Sequence, residues 1–410
     1  MTITRRDCFD LDARDPLGTI RERFVLPEGV IYLDGNSLGA LPKSVAPRLH
    51  RAVDQEWATG LIRSWNDAGW YRAPQRVGAK IAGLIGAATD EVIVTDSTSV
   101  DLFKVLTAAL RLRPGRGKIL GIDGDFPTDG YIAGGVAAFS NAQFVRVPPD
   151  TLAAAIGDDV AVVVLTHVNY KSGFVHDMRG LTSAAHANDA LIVWDLSHSA
   201  GVMPVDIAAQ GADFAVGCGY KYLNGGPGAP AYVFVAKRHQ QAFAHPLTGW
   251  LGHADPFAFA ADFAPAAGMD KLLTGTPPIL SLLALDAALE AYDGVDLSLV
   301  YAKVQSLTDL FVALAEERLA RHGFTLASPR DKARRGAQVS LAHEQGYAVM
   351  QALIARGLIG DFRAPDIVRF GFAPLYTRHV DVYDAAVLVE EVMTTRAWDV
   401  DAFKSRKAVT

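Results

Sequence analysis

The sequence predicts an α/β chain: a large domain built on a mostly parallel central sheet flanked by helices, followed by a smaller α+β C-terminal domain. Three observations predict it. Apolar runs of strand length alternate with helical segments between residues 91 and 235. A glycine-rich turn, Gly225-Gly226-Pro227-Gly228, interrupts that rhythm. Beyond about residue 325, shorter strands and helices resume as a set of their own.

The totals agree with this class. A chain of 410 residues suggests two domains, one of them large. Half of it is apolar and a fifth charged, enough for a substantial core. A net charge of −6, with no basic stripe, argues against a nucleic-acid partner. Cys8 and Cys218 lie far apart and form neither a disulfide framework nor a metal pattern. The N-terminus lacks the apolar stretch of a signal peptide, and no run approaches the ~18 consecutive apolar residues of a membrane span. The expectation is a cytoplasmic enzyme with no membrane partner, divided at 1–60 (arm and helices), 61–285 (large domain) and 286–410 (small domain).

In chain order, residues 1–30 read as an arm with one short helix. Ile31–Gly39 reads as a strand running into a loop, and Asp34-Gly35-Asn36-Ser37 is good turn chemistry that demands nothing more. Pro42 is expected to open a helix reaching Trp57. Leu61–Tyr71 holds Trp65 and Trp70 among polar residues, as a pocket wall, an interface or ordinary packing. A helix over 75–86 and a strand over 91–94 follow. Leu102, Val105, Leu106, Ala109 and Leu110 then share one helical face. The hydroxyls of Ser97, Thr98 and Ser99 at its start can cap that helix or seat a phosphate. Strands are expected at 118–122, 143–147, 159–166 and 191–195, with helical segments at 151–156 and 181–190. The loops at 123–131, 166–173 and 195–200 therefore end strands, where ligands of such sheets bind. After a strand at 231–235, residues 244–276 read as a long loop over the site. Helices at 279–292 and 297–322 lead to the C-terminal strands and helices, among them 347–357, 367–372 and 380–397.

The chemistry centres on Lys221. It follows the apolar run Phe214-Ala215-Val216, stands between Tyr220 and Tyr222, and precedes the glycine turn. A poorly hydrated lysine loses its charge more readily and becomes a nucleophile able to form a Schiff base. The ordinary alternative is a surface lysine in a loop. A pyridoxal phosphate site needs such a lysine, a carboxylate for the ring nitrogen, a flat face for the ring and a seat for the phosphate. Asp195 ends an apolar strand and meets the second need. His198 is near enough to share the site, Phe126 offers the flat face, and Thr98, Ser99 and Thr128 can hold phosphate. Each taken alone has a plain structural reading; together they favour the cofactor.

The segments YLDGNSLGALPK, STSVDLF, DFPTDGY, WDLSHSAG, GCGYKYLNGGPG, GWLGH, TPPIL and IVRFGFAPLYT run in order from residue 32 to 377. On them the chain resembles the kynureninases, within the fold-type-I pyridoxal-phosphate-dependent transferase fold. The resemblance implies cleavage of L-kynurenine to anthranilate and L-alanine in tryptophan catabolism, in a homodimer whose sites lie at the subunit interface. It implies that Lys221 binds the cofactor, that Asp195 partners the pyridine nitrogen beside His198, and that Phe126 stacks on the ring. It makes Thr98, Ser99, Thr128 and Tyr220 phosphate ligands, with Asp129 and Thr166 in the same shell and Tyr220 a candidate for proton transfer. Trp250 and Thr276 resemble residues reaching in from a second subunit, Arg369 resembles the clamp on the substrate α-carboxylate, and Trp65 joins the substrate contacts. Within that resemblance, relatives that prefer 3-hydroxykynurenine look to have asparagine where this chain has Thr276, which implies a preference here for L-kynurenine.

The runner-up is an aminotransferase of the same fold, since the lysine and aspartate segments are shared with it. A cysteine desulfurase needs a reactive cysteine on a mobile loop, and neither Cys8 nor Cys218 is so placed. A Walker loop would put its lysine after the glycines, whereas Lys221 precedes them.

Overall fold

The structure is a computed structural model describing residues 3–406, so the extreme ends of the expected first and last domains lie outside the described residues. The central sheet has seven strands: β1 Val92–Thr95, β2 Lys118–Ile122, β3 Gln143–Val147, β4 Val160–Thr166, β5 Leu191–Asp195, β6 Phe214–Cys218 and β7 Ala231–Val235. Their order is β1-β7-β6-β5-β4-β2-β3. The pairs β2–β3, β2–β4, β4–β5 and β5–β6 are parallel, while β7 runs antiparallel to both β6 and β1. Alternate residues face opposite layers. Val163, Trp194 and Tyr232 join one core, and Val162, Val193 and Val233 the other. Helices cover both faces, which is why β4 to β7 are buried throughout and apolar up to their carboxyl ends.

Two local expectations change. Leu41 and Pro42 pair as a short strand with Val25 and Phe24 of the arm, so the following helix begins at Val45 and continues in wider turns from Ala52 to Gly60. An edge position suits Pro42, which has no N–H to donate. The loop expected over 123–131 becomes helix at Pro127, giving Pro127–Phe139. Proline at the first turn is favoured there, because its missing N–H would have had no partner.

The smaller sheet is antiparallel, with β8 Thr325–Leu326, β9 Gln338–Ala342, β10 Asp361–Arg363 and β11 Ile367–Gly371 in the order β8-β9-β11-β10. Helices Leu297–Leu314 and His379–Thr394 bury Leu307, Phe311 and Val389 against Val339 and Phe370. The N-terminal helix Arg5–Asp12 packs here, with Cys8 in that core. Asp12 accepts from the backbone N–H groups of His379 (2.7 Å) and Val380 (3.0 Å), satisfying the free N-terminal donors of the last long helix. By length and hydropathy, Leu297–His322 is the one helix among the described residues that could span a bilayer. Half of its most apolar window is buried inside the protein, as for a core helix.

Candidate active site

At the carboxyl ends of the parallel strands lies a cavity of about 230 Å³. Its wall includes Thr98, Ser99, Phe126, Thr128, Asp129, Thr166, Asp195, His198, Tyr220 and Lys221. Two helix N-termini border it. The helix Thr98–Leu112 is capped by Ser97, whose Oγ accepts from Val100 N–H, which leaves Thr98 and Ser99 facing the cavity. The helix Pro127–Phe139 brings Thr128 and Asp129 in its first turn. Free N–H groups, hydroxyls and the positive ends of two helix dipoles suit a phosphate.

Two buried carboxyls meet deeper in the cavity. Asp195 accepts from Ser197 N–H at 2.7 Å. Burial raises its carboxyl above the usual range, while the charge of Lys221 opposes that rise. Asp129 is pushed up further, by burial first and then by the charges of Asp195 and Asp125, and its Oδ2 has no hydrogen-bond partner among the described residues. Of the two, Asp129 is held further above the usual range, which favours a proton on Asp129 and the negative charge on Asp195, where a protonated ring nitrogen requires an anion. The orphaned Asp129 oxygen marks where a further polar group fits. His198 is buried and its Nδ1 lies 3.0 Å from Gln338 Oε1. Burial, then the charges of Lys221 and Arg369, hold its ring neutral well below the usual histidine range.

Lys221 lies in the connection between β6 and β7, residues 219–230, which joins two antiparallel neighbours without a crossover helix. Its Nζ sits 5.7 Å from the Phe126 ring centroid and 6.0 Å from that of Tyr220. The side chain is half-buried, less sealed than the apolar run ahead of it suggested. The Tyr220 carbonyl accepts from Gly39 N–H at 2.8 Å, and a Cβ on Gly39 would collide with the Lys221 carbonyl, so the residue 31–39 segment lies directly on the lysine's backbone. Burial, then Cys218, pushes the Tyr220 phenol up. Cys218 is itself buried at the end of β6 and lines the cavity, on a strand rather than a loop able to swing.

Arg369, on β11, lies just behind the wall. Its Nη1 donates to the carbonyl of Tyr170, a cavity residue. Asp361 pairs with it through both carboxylate oxygens, Nε to Oδ1 at 2.7 Å and Nη2 to Oδ2. Ser37 Oγ donates to Asp361 Oδ2 at 2.7 Å and accepts from Arg369 Nη2 at 3.0 Å. Asn36, with its amide oxygen turned to the guanidinium, accepts from Nε at 2.9 Å.

Four expected residues fit less simply. Thr166 lines the cavity, but its hydroxyl and N–H both go to Asp125, the latter at 2.9 Å. Trp65 packs edge-on against Trp70 at 6.0 Å, outside the cavity wall. Trp250 and Thr276 are exposed and outside it too. Three residues missed from the sequence matter. Asp125 accepts from Phe126 N–H at 2.9 Å and ties that loop to β4. Ser37 and Asn36 belong to a turn that looked self-sufficient, and their neighbourhood with Arg369 had no signal within the segment.

The fold matches solved structures closely. A cysteine desulfurase from Thermococcus onnurineus superposes with a TM-score of 0.78 at 19% identity, covering 92% of this chain and 98% of that one. A variant of the enzyme C-DES with glycine linked to its PLP cofactor gives a TM-score of 0.79 at 16% identity, over 90% and 99% of the two chains. The architecture is that of the fold-type-I pyridoxal-phosphate enzymes. The family model for the kynureninase C-terminal domain matches residues 300–389. A kynureninase of Burkholderia mallei is 50% identical over 99% of this chain and 100% of its own, and one of Pseudomonas fluorescens is 49% identical over the same shares. The chain belongs to the kynureninase family.

Proposed function

We propose that this chain hydrolyses the Cβ–Cγ bond of L-kynurenine, releasing anthranilate and L-alanine, with pyridoxal phosphate as cofactor and with sites shared between two copies of the chain. The observation that carries this reading is the meeting of Lys221, the Asp129–Asp195 pair, Phe126 and two helix N-termini around one cavity, in a chain half identical to kynureninases along its whole length. When bound, the cofactor supplies an electron sink for negative charge at the substrate α carbon.

In this reading Lys221 anchors the cofactor and, once released, carries the α proton. Asp195 faces the ring nitrogen as the anion, Phe126 takes the ring face, and His198 stays neutral beside it. Thr98, Ser99, Thr128 and Tyr220 hold the phosphate. Arg369 receives the substrate carboxylate through the planar donor fork that suits it. Water adds to the γ carbonyl, and collapse of the hydrate breaks the Cβ–Cγ bond. We assign Tyr220 to proton transfer in those two steps, because its hydroxyl-bearing side chain shares the cavity with Lys221. The dimer rests on exposure: Trp250 is 40% exposed beside Phe257 and Phe259, at 63% and 77%, an apolar patch of the kind a partner covers. From there Trp250 and Thr276 of the partner subunit would complete the substrate pocket, with Trp65 at its rim. A cytoplasmic location is part of this reading.

The test is to mix protein loaded with pyridoxal phosphate with L-kynurenine and follow anthranilate fluorescence, with Lys221→Ala as control. Growth of fluorescence that vanishes in the variant is the expected result. A protein that carries the cofactor absorbance yet releases no anthranilate overturns the hydrolytic reading.

A further inference from the structure

Gln338, on β9 of the smaller sheet, reaches two residues of the active site, and the reaction proposed above gives it no role. The residue is 1% exposed. Its Nε2 donates to the Tyr170 carbonyl at 2.9 Å, and its Oε1 lies 3.0 Å from His198 Nδ1. The same carbonyl accepts from Arg369 Nη1, so one of its lone pairs goes to the arginine and the other to the glutamine. The amide has little room to move: a Cβ on Gly173 would come within 2.8 Å of Gln338 Cγ. The imidazole is confined as well. Tyr222 packs edge-on against the His198 ring at 6.5 Å, and the Tyr222 hydroxyl donates to the Ala337 carbonyl at 3.1 Å. Ring and amide are thus held through adjacent residues, Ala337 and Gln338.

These contacts decide where the imidazole carries its proton. A neutral ring has one N–H and one bare nitrogen. A bare Nδ1 would face the lone pairs of Oε1. Turning the amide over to meet it would set Oε1 against the Tyr170 carbonyl, and two buried acceptors would then face each other unpaired. With one proton on the ring, only Nδ1–H satisfies the imidazole, the amide and the carbonyl together. A second proton would not disturb these contacts, but burial, then the charges of Lys221 and Arg369, keep the ring neutral. His198 lines the cavity and makes no other hydrogen bond among the described residues, so Nε2 is the nitrogen left for a ligand.

We propose that Gln338 is a positioning residue for the reaction: it fixes the His198 proton on Nδ1, so that Nε2 meets the cavity as a hydrogen-bond acceptor. This rests on the reading above that sets His198 beside the cofactor ring. His198 then takes a hydrogen bond from a hydroxyl, an ammonium or a water in the cavity and gives none. Through the shared Tyr170 carbonyl, the same glutamine ties His198 to Arg369. The group beside the ring and the group that receives the substrate carboxylate are therefore kept in one register.

The test is nitrogen NMR of the full-length, pyridoxal-phosphate-loaded protein carrying isotope-labelled histidine, in which protonated and bare ring nitrogens resonate far apart. The His198 signals are those missing from His198→Phe. In the wild type, Nδ1 of His198 should be the protonated nitrogen and Nε2 the bare one. Gln338→Met keeps most of the volume and removes the amide, so the preference for Nδ1–H should be lost. Turnover of L-kynurenine should fall about tenfold to a hundredfold, the scale seen where an outer partner orients a ligating histidine. Gln338→Glu keeps an acceptor against Nδ1 and should keep the proton there. A proton on Nε2 in the wild type overturns the proposal even if Gln338→Met fails to fold. An unchanged tautomer or unchanged turnover in folded Gln338→Met overturns it too, as does loss of the Nδ1 proton in Gln338→Glu. If His198→Phe leaves cofactor affinity and turnover unchanged, the reading of His198 as a neighbour of the cofactor fails, and the inference with it. If His198→Phe weakens both while Gln338→Met alters neither tautomer nor turnover, only the role of Gln338 fails.

Discussion

Replacing Lys104 by methionine tests how the phosphate end of the cavity is held. Lys104 sits in the helix Thr98–Leu112 with a fully buried side chain. Its Nζ donates to Asp96 Oδ2 and, at 2.6 Å, to the carbonyl of Leu272. Asp96 comes just before Ser97, with φ at 42°, and Thr274 Oγ1 also reaches its carboxylate at 3.4 Å. One ammonium thus ties the turn that presents Thr98 and Ser99 to the strap that leads to Thr276. Burial raises the Asp96 carboxyl, but Lys104 more than offsets this and keeps it below the usual range. Asp101, 3.8 Å from Nζ, is fully buried with neither oxygen in a hydrogen bond, and burial pushes its carboxyl well above the usual range. Lys104 therefore balances one charge and not two.

Methionine keeps most of the volume and removes the ammonium. Breaking a fully buried pair costs about 3–5 kcal/mol, but the Asp96 side chain keeps 31% exposure and water recovers part of that. The Leu272 carbonyl, left without its donor, adds about 1 kcal/mol. The expected loss in Lys104→Met is about 3 kcal/mol, read by equilibrium urea unfolding, with weaker pyridoxal phosphate binding as the Ser97–Ser99 turn loosens. Adding Asp96→Asn should restore a good part of the loss, since the uncompensated charge is then gone. A loss under about 1 kcal/mol with unchanged cofactor affinity would refute the reasoning.

Other outcomes follow from the same geometry. Tyr220→Phe should cut turnover by about two to four orders of magnitude with cofactor affinity largely kept; weakened cofactor binding with turnover preserved in the loaded enzyme would limit Tyr220 to holding phosphate. Thr276→Asn should move the ratio of kcat/KM values toward 3-hydroxykynurenine, because an amide reaches a ring hydroxyl that threonine does not, and a shift the other way or none ends that idea. Asp101→Asn should raise stability at pH 8 and change it little at pH 4. The upward-shifted Asp101 carboxyl contributes its full stability only below the unfolded pKa of about 4, and that contribution declines as pH rises toward the folded value. Urea unfolding at the two pH values decides it, and equal effects at both would contradict the assignment.

The strand–helix alternation, the carboxylate of Asp195 at the end of an apolar strand, the hydroxyls opening the helix at Thr98, and Lys221 ahead of its glycines were legible in the sequence. Each is written in consecutive residues, where a period of two or of 3.6 and the chemistry of a helix start leave a local mark. Strand direction leaves no such mark, so only the structure showed β7 running against β6 and Lys221 lying in the connection between these antiparallel neighbours. The partner of a buried charge is not local either. Arg369 is met by Asp361 and by Asn36 and Ser37 from the far end of the chain. Lys104 is met by the carbonyl of Leu272, and Thr166 by Asp125. Hydrophobic pattern sets which face of each element turns inward. Which buried polar groups then satisfy one another depends on where the packed elements bring their ends together, and that is decided only when the whole chain has folded.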